Sequence, residues 1–485
     1  MKNKLLFNTS DWDFSLIDKS MKAIEPLASE LRLDIYPNQI EIITSEQMID
    51  AYSSVGLPVM YKHWSFGKKF TQEYDYYRQG KRGLAYEMVL NTNPCINFLM
   101  EENSAMTQVL VLAHAAYGHN HVFKNNYLFK QWTDASSIVD YLIFARDYII
   151  KCEEKYGIDE VEKILDAAHA LMSHGVDRCV RPSKLSVDKE QRRQKERQLY
   201  IEQQVNDLWK TVPKNKKDST VEPQTMDPEE NFLYFLEKKS PILESWQREI
   251  LRIVRKIAQY FEPQRMTKTL NEGWASFTHY YIVNRLWDEG YIHEGGMLEF
   301  LKLHTGVLDQ PSFDERGYYG MNPYYLGFEI FNDIRRICTK PTEEDYEYFP
   351  ELVNTDWVTA CIDAVENYRD ESLIRQFLSP TLIRKMRLFS LHDDGVSDYR
   401  IDAIHDREGF RKIRTNLANS YLTESYLPKL EIIDVDMKGT RTLTVMYSSV
   451  NTRQLSKTSR AVLAHLRTLW GYPIRLVDAN KQDIK

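Results

Sequence analysis

Residues Leu110–Phe129 read LVLAHAAYGHNHVFKNNYLF, placing His114, His119 and His121 within eight residues at the end of an apolar helical stretch. A quarter of the chain's 12 histidines sit there. Neutral imidazole is the commonest protein metal ligand and a frequent proton-transfer group, so this is the first place to look for chemistry. On the helix ending near Ala116, Asn103 and Thr107 share a face with His114 among Val and Leu. Buried polar groups need partners, so that face is expected to line something polar, or else His114 is a hydrogen-bonded core histidine. His119 follows Gly118 and is expected to leave the helix in a sharp turn, its ring aimed back at the helix end. His121 could as easily face solvent.

A second stretch, LNEGWASFTHYY (Leu270–Tyr281), supplies Glu272 and His279 two helical turns apart, with Ser276 beside them. A buried unpaired carboxylate is costly, so Glu272 faces solvent, pairs with a cation or binds a metal; Leu270, Trp274 and Phe277 argue against exposure. Glu329 and Asp333, one turn apart ahead of Arg335 and Arg336, read as a salt-bridge set. Asp166 and His169, with His174 and Asp177, have a spacing that can hold a metal, but Arg178 and Arg181 offer Asp177 a simpler ion pair.

Outward from these stretches, helical pattern covers Ser15–Leu33, and LDIYPNQIEIIT alternates as one or two short strands. Helices are expected over Ile96–Ala116, Thr133–Cys152 (Asp134 as cap), Asp159–His174, Pro241–Phe261 and Thr267–Gly290. The Gly- and Pro-containing stretch His304–Pro323 reads as a long loop, and Asn322-Pro323 opens a helix to Cys338. A charged helix at Val187–Trp209 and a mobile loop at Lys210–Glu230 interrupt this pattern at about 184–230. After Leu388 the order becomes ββαββαβ. The expectation is therefore a mainly α chain, α+β overall, with a large helical domain (1–387) and a small α+β sandwich (388–485).

Composition narrows the function classes. Hydrophobic residues make up 43% and charged residues 27%, ordinary for a globular protein, and 485 residues suggest two to three domains. The net charge of −7 argues against a protein that holds nucleic acid by its phosphates, despite the basic run Lys184–Arg197. No stretch approaches about eighteen consecutive apolar residues, so no membrane span is expected. The 5 cysteines are scattered, odd in number and never spaced C-x-x-C, so neither a disulfide framework nor a cysteine zinc site is expected, which fits a reducing cytoplasm.

The segments NPCINFLMEEN (Asn93–Asn103), HAAYGHNHVFKNNYLF (His114–Phe129), QWTDASSIVD (Gln131–Asp140), HALMSHGVDRCVRP (His169–Pro182), NEGWAS (Asn271–Ser276) and NPYYLGFEIFNDIRRIC (Asn322–Cys338) together closely resemble the stage V sporulation protein R (SpoVR) family, across nearly the whole chain. That resemblance implies a bacterial cytoplasmic protein of spore-cortex formation or stress physiology, found also in bacteria that form no spores. It implies a serine protein kinase and a von Willebrand-type protein as partners. A weaker likeness is to gluzincin metallopeptidases, which place H-E-x-x-H on one helix and a third ligand, within NEG(F/W)A, on a later one. NEGWA resembles that later helix, so the likeness implies a zincin-like fold with zinc or another divalent metal on His114, His119 and Glu272. HAAYGH departs from the pattern twice. Its histidines are five apart, and Ala115 stands where the general-base Glu would be.

Three expectations follow. The first is a metal-dependent hydrolase of a peptide or cell-wall-related amide, with Glu102, or Glu101 or a histidine, moving the proton, His279 orienting a ligand or stabilising developing charge, and the loop Leu308–Tyr325 lining a groove. The second, which Ala115 favours, is a non-catalytic regulatory or scaffold protein that docks partners through its C-terminal module. The third, nucleic-acid binding, is disfavoured by the charge.

Overall fold

The computed structural model describes residues 4–53, 60–78, 86–180, 228–313, 315, 316, 318, 320–392, 400–403, 405–422, 425, 427–436, 439–448, 457–478 and 482. The expected charged helix at Val187–Trp209, and the mobile loop up to residue 227, lie outside them. Among the described residues the chain is mainly helical with three small sheets, the α+β class expected.

The expected helix Ile96–Ala116 is two elements. Cys95–Met100 is strand β3, and the helix begins only at Ala105, where Ser104 caps it by accepting from the Thr107 amide. The strand misleads because it is central: β1 (Asn38–Ile43) runs parallel to it and β2 (Glu87–Leu90) antiparallel, in the order β1-β3-β2. A short apolar run of this kind looks the same whether it is a covered strand or a helix turn. The sheet has a consequence for the site, since β2 is an edge strand whose first residue is Glu87.

Helix Lys268–Asp288 is the centre of the molecule. It is apolar on nearly every side, and Leu270, Trp274, Phe277, Ile282, Val283 and Leu286 are all buried. Helix Pro323–Thr339, with Asn322 as the expected cap and Pro at the first turn, crosses it at a pair of glycines. A Cβ on Gly273 would lie 2.3 Å from Gly327 Cα, and one on Gly327 would lie 2.1 Å from the Thr269 carbonyl oxygen. Both neighbours are backbone and cannot swing aside. Gly327→Ala is therefore expected to cost about 1–3 kcal/mol or more, seen as a lower urea midpoint. Gly306→Ala, where an added Cβ meets nothing within 4 Å, should leave the midpoint unchanged or raise it.

The long loop expected at His304–Pro323 is shorter, because helix Glu294–Val307 carries His304 into the core as part of its last turn. Glu329 and Asp333 do form salt bridges, but the set reaches beyond their own helix. Glu329 meets Lys385 at 2.5 Å, and Arg336 joins Asp333 to Asp345 at 2.6 Å each.

The C-terminal order ββαββαβ is present, but as two sheets on two cores rather than one sandwich. Strands β4 (Ser390–His392) and β5 (Arg400–Ala403) pair with each other, and helix Arg407–Ser420 buries Phe410 and Ile413 beside Phe331 and Leu382. Strands β6 (Lys429–Val435), β7 (Leu443–Ser448) and β8 (Ile474–Val477) form a separate sheet. Its Ile432 and Val445, with Trp470 of helix Lys457–Trp470, join the core around Phe232 and Leu251. The β6-β7-β8 sheet covers its apolar face with the helices nearest to it.

Candidate metal centre

The first helix does not turn sharply at Gly118, as its sequence suggests. Residues Leu112–His119 continue it as a π-helix, and the amide of Asn120 bonds back five residues to the Ala115 carbonyl. In an α-helix, residues five apart point about 140° away from each other. The wider π turn returns both rings to one side, with His114 and His119 edge to face at 4.6 Å between centroids. The five-residue spacing is thus accommodated by a change of helix type, a feature common at functional sites. Gly118 is needed because a Cβ there would lie 2.7 Å from Ala275 Cα on the Glu272 helix. That close approach brings the two sequence motifs together.

His114, His119 and Glu272 form one group, each offering a ligand atom within 4.8 Å of the others. Glu272 Oε2 lies 3.4 Å from His119 Nε2 and 3.7 Å from His114 Nε2. Ligand atoms around a tetrahedral zinc ion at 2.0–2.1 Å are separated by about 3.3 Å. The spacing suits a shared ion better than direct hydrogen bonds. Glu272 Oε2 is also buried without a hydrogen-bond partner, a state that a cation between the three groups would relieve. The donor set of two imidazoles and a carboxylate fits zinc or a similar divalent ion.

The electrostatics divide the carboxylates. Burial works to raise the Glu272 carboxyl, but His119, His114 and the Tyr324 hydroxyl outweigh it and hold the group below its ordinary value. Glu87, reaching in from β2 with Oε1 3.8 Å from His114 Nε2, goes the other way. Burial chiefly raises its carboxyl and Glu272 adds to this, with His114 opposing. Two acids pushed apart in this way can take different roles, one ligating and one exchanging protons. His119 is driven down to about 4, chiefly by burial, and so stays a neutral imidazole. His114 goes up, because Glu272 and Glu87 overcome its own burial.

Behind the centre, the Nδ1 of His119 meets Asn271 Oδ1 at 2.8 Å, and the Nδ1 of His114 meets His279 Nδ1 at 2.9 Å. His279 continues through its Nε2 to His304 Nδ1 at 2.7 Å. His279 is buried and meets His114 at Nδ1, the nitrogen opposite the one that faces Glu272. His121 takes no part: its Nδ1 faces the Asp34 amide and carbonyl, while Nε2 is buried without a partner.

Glu102 is not brought to the cluster; it is exposed and accepts from the Ser45 amide. Its place beside His114 is taken by Glu87, an acid opening the otherwise apolar strand EMVL and the only hint of its role in the sequence. Asp166 and His169 do not chelate together. Asp166 accepts from Trp64 Nε1 at 2.7 Å and pairs with His63, while His169 meets the Tyr61 hydroxyl. Of the aromatic loop Leu308–Tyr325, the Tyr324 end reaches Glu272. Sequence reasoning missed Glu87 and His304, each isolated on its own element, and offered Tyr324 only as part of a groove-lining loop.

Comparison with known proteins identifies the lineage. The family model described as SpoVR like protein matches residues 11–426, and that for the SpoVR-like C-terminal domain matches residues 428–481. The boundary falls between the two C-terminal sheets. Over 475 residues the chain is 53% identical to the uncharacterized protein YcgB of Escherichia coli (strain K12), covering 97% of this chain and 93% of that protein. No solved structure matches. The chain belongs to the SpoVR family.

Proposed function

We propose that this member of the SpoVR family is a metal-dependent hydrolase of a peptide or cell-wall-related amide. His114, His119 and Glu272 would hold zinc or another divalent ion. The observation that carries this reading is the orphaned Glu272 Oε2 facing two imidazole Nε2 atoms at 3.4 and 3.7 Å. When bound, the ion would supply a Lewis acid that polarises a carbonyl and lowers the pKa of water.

The chain's own groups would do the rest. Glu87 takes the role that Ala115 leaves empty, receiving a proton at Oε1 and returning it to the departing amine. Its raised pKa suits that two-way exchange better than a fully ionised acid would. Tyr324, beside Glu272, is placed to donate to charge that develops on a substrate oxygen. The zincin-like likeness in NEGWA supports the same reading. The five free cysteines, four of them buried, support a cytoplasmic setting. No described helix is long and apolar enough to cross a membrane. A role in spore-cortex or stress physiology, with a serine protein kinase and a von Willebrand-type protein as partners, follows from the family resemblance.

Ala115 favours a second reading, a regulatory protein that keeps the ion but not the chemistry. Glu87→Gln separates the two. On the hydrolase reading it keeps its metal and loses about 10²–10⁴-fold in turnover of a panel of peptides and cell-wall fragments. Unchanged turnover would remove Glu87 from the mechanism. A zinc-loaded wild type inert toward the whole panel would favour the regulatory reading.

A further inference from the structure

His119 and His114 both turn Nε2 toward Glu272, but their Nδ1 atoms are held differently. The partner of His119 Nδ1 is Asn271 Oδ1, a carbonyl oxygen that can only accept. The proton therefore sits on Nδ1 and leaves Nε2 bare, the state a ligand needs. His114 Nδ1 instead faces another imidazole, His279, whose nitrogen could donate or accept. If His279 Nδ1 donated, the His114 proton would be forced onto Nε2 and would block that ligand position.

Three buried rings are in contact in a row, His114, His279 and His304, at 2.9 and 2.7 Å. Their residues are only 4%, 2% and 5% exposed, so no solvent route competes with these contacts. A neutral imidazole has one N–H and one bare nitrogen, so each contact needs a donor on one side and an acceptor on the other. The tautomer of any ring in the row therefore sets the others. If His304 Nδ1 accepts, His279 Nε2 must donate. His279 Nδ1 is then bare and accepts from His114 Nδ1, which frees His114 Nε2.

We propose that His279 and His304 are positioning residues, a relay of tautomers that holds His114 as an Nε2 ligand: His279 Nδ1 accepts from His114, and His304 Nδ1 accepts from His279. The ring stack holds the last member in place: His304 lies against Phe300 at 5.4 Å, nearly parallel, and against Tyr280 at 5.0 Å, which keeps its ring against His279. The direction of the relay follows from ligation, because His114 Nε2 is bare only when His304 is the terminal acceptor. His304 is 25 residues from His279 and on another helix, which explains why a loop-like sequence carries a buried histidine. The inference rests on the metal reading for its purpose.

The test is zinc affinity, measured by competition with a chromophoric chelator, with folding checked by circular dichroism. His279→Leu and His304→Leu should each weaken zinc binding roughly 10–100-fold, the range for losing a hydrogen bond to a ligating histidine. Asparagine places an oxygen acceptor close to the Nδ1 position of histidine. His279→Asn and His304→Asn should therefore recover most of the loss, which a role in packing alone would not produce. Wild-type affinity in folded His279→Leu, or no difference between Leu and Asn at either position, would overturn the relay and leave the metal reading standing. A wild type that takes up no zinc would overturn both.

Discussion

Glu272→Gln should empty the centre of zinc while leaving the fold intact. The substitution keeps the shape of the side chain but removes the one formal charge among the three ligands. A cation would then meet two buried imidazoles and an amide, with no anion to offset its desolvation. Loss of a hydrogen-bond partner behind a ligating histidine costs roughly 10–100-fold in affinity, so loss of a charged ligand should cost on the order of 100-fold or more. His114→Ala should do the same through the π-helical segment. Elemental analysis after gel filtration reads the result directly. Thermal unfolding gives an independent measure, because zinc at 100 times its Kd stabilises a folded state by about 2.7 kcal/mol. That gain should appear in the wild type and vanish in both variants. A wild type far short of one metal per chain, with no gain on adding zinc, would end the metal reading.

Acid should unfold this protein early. His121, His169, His174 and His304 are each driven down to about 4, in every case chiefly by burial. The ordinary value is 6.5, so the unfolded chain takes up these protons first. The stability that the neutral rings contribute is complete above pH 6.5 and drains as pH falls toward 4. Each ring accounts for about 3 kcal/mol across that window. Four together approach the whole stability of a typical domain, about 5–15 kcal/mol. The expected result is cooperative loss of structure near pH 5, followed by circular dichroism and tryptophan fluorescence. His174 stacks on Phe232 at 5.4 Å, and His174→Gln should move the acid midpoint to lower pH. A Tm that stays level from pH 7 to pH 4 would contradict the argument.

The clustering of His114, His119 and Glu272 is legible because they lie in two short motifs, HAAYGH and NEGWA, each on one helix. What could not be read was how a five-residue spacing would be reconciled with one helix face. The sequence suggested a turn at Gly118, whereas the chain changes to a π-helix and uses Gly118 for contact with Ala275. Glu102 is near His114 along the chain but not in space. Glu87 is the acid near His114 in space, delivered by a strand whose central partner, β3, carries an apolar run that reads equally well as helix. The glycines and prolines that follow His304 suggest a loop, although the residues before it carry ordinary helical pattern.

By itself the sequence determined the helical class, the cap at Asn322, the C-terminal order of strands and helices, and the residue types able to hold an ion. These depend on local periodicity, capping and side-chain chemistry, which act over a few residues. Only the tertiary structure decided which acid stands beside His114, that three imidazoles on three helices touch in a row, and that the C-terminal sheets part to cover different cores. Those outcomes depend on the close crossing at Gly273 and Gly327 and on the pairing of β2 with β3. Contacts between distant segments are set by packing the whole chain at once, and no local pattern encodes them.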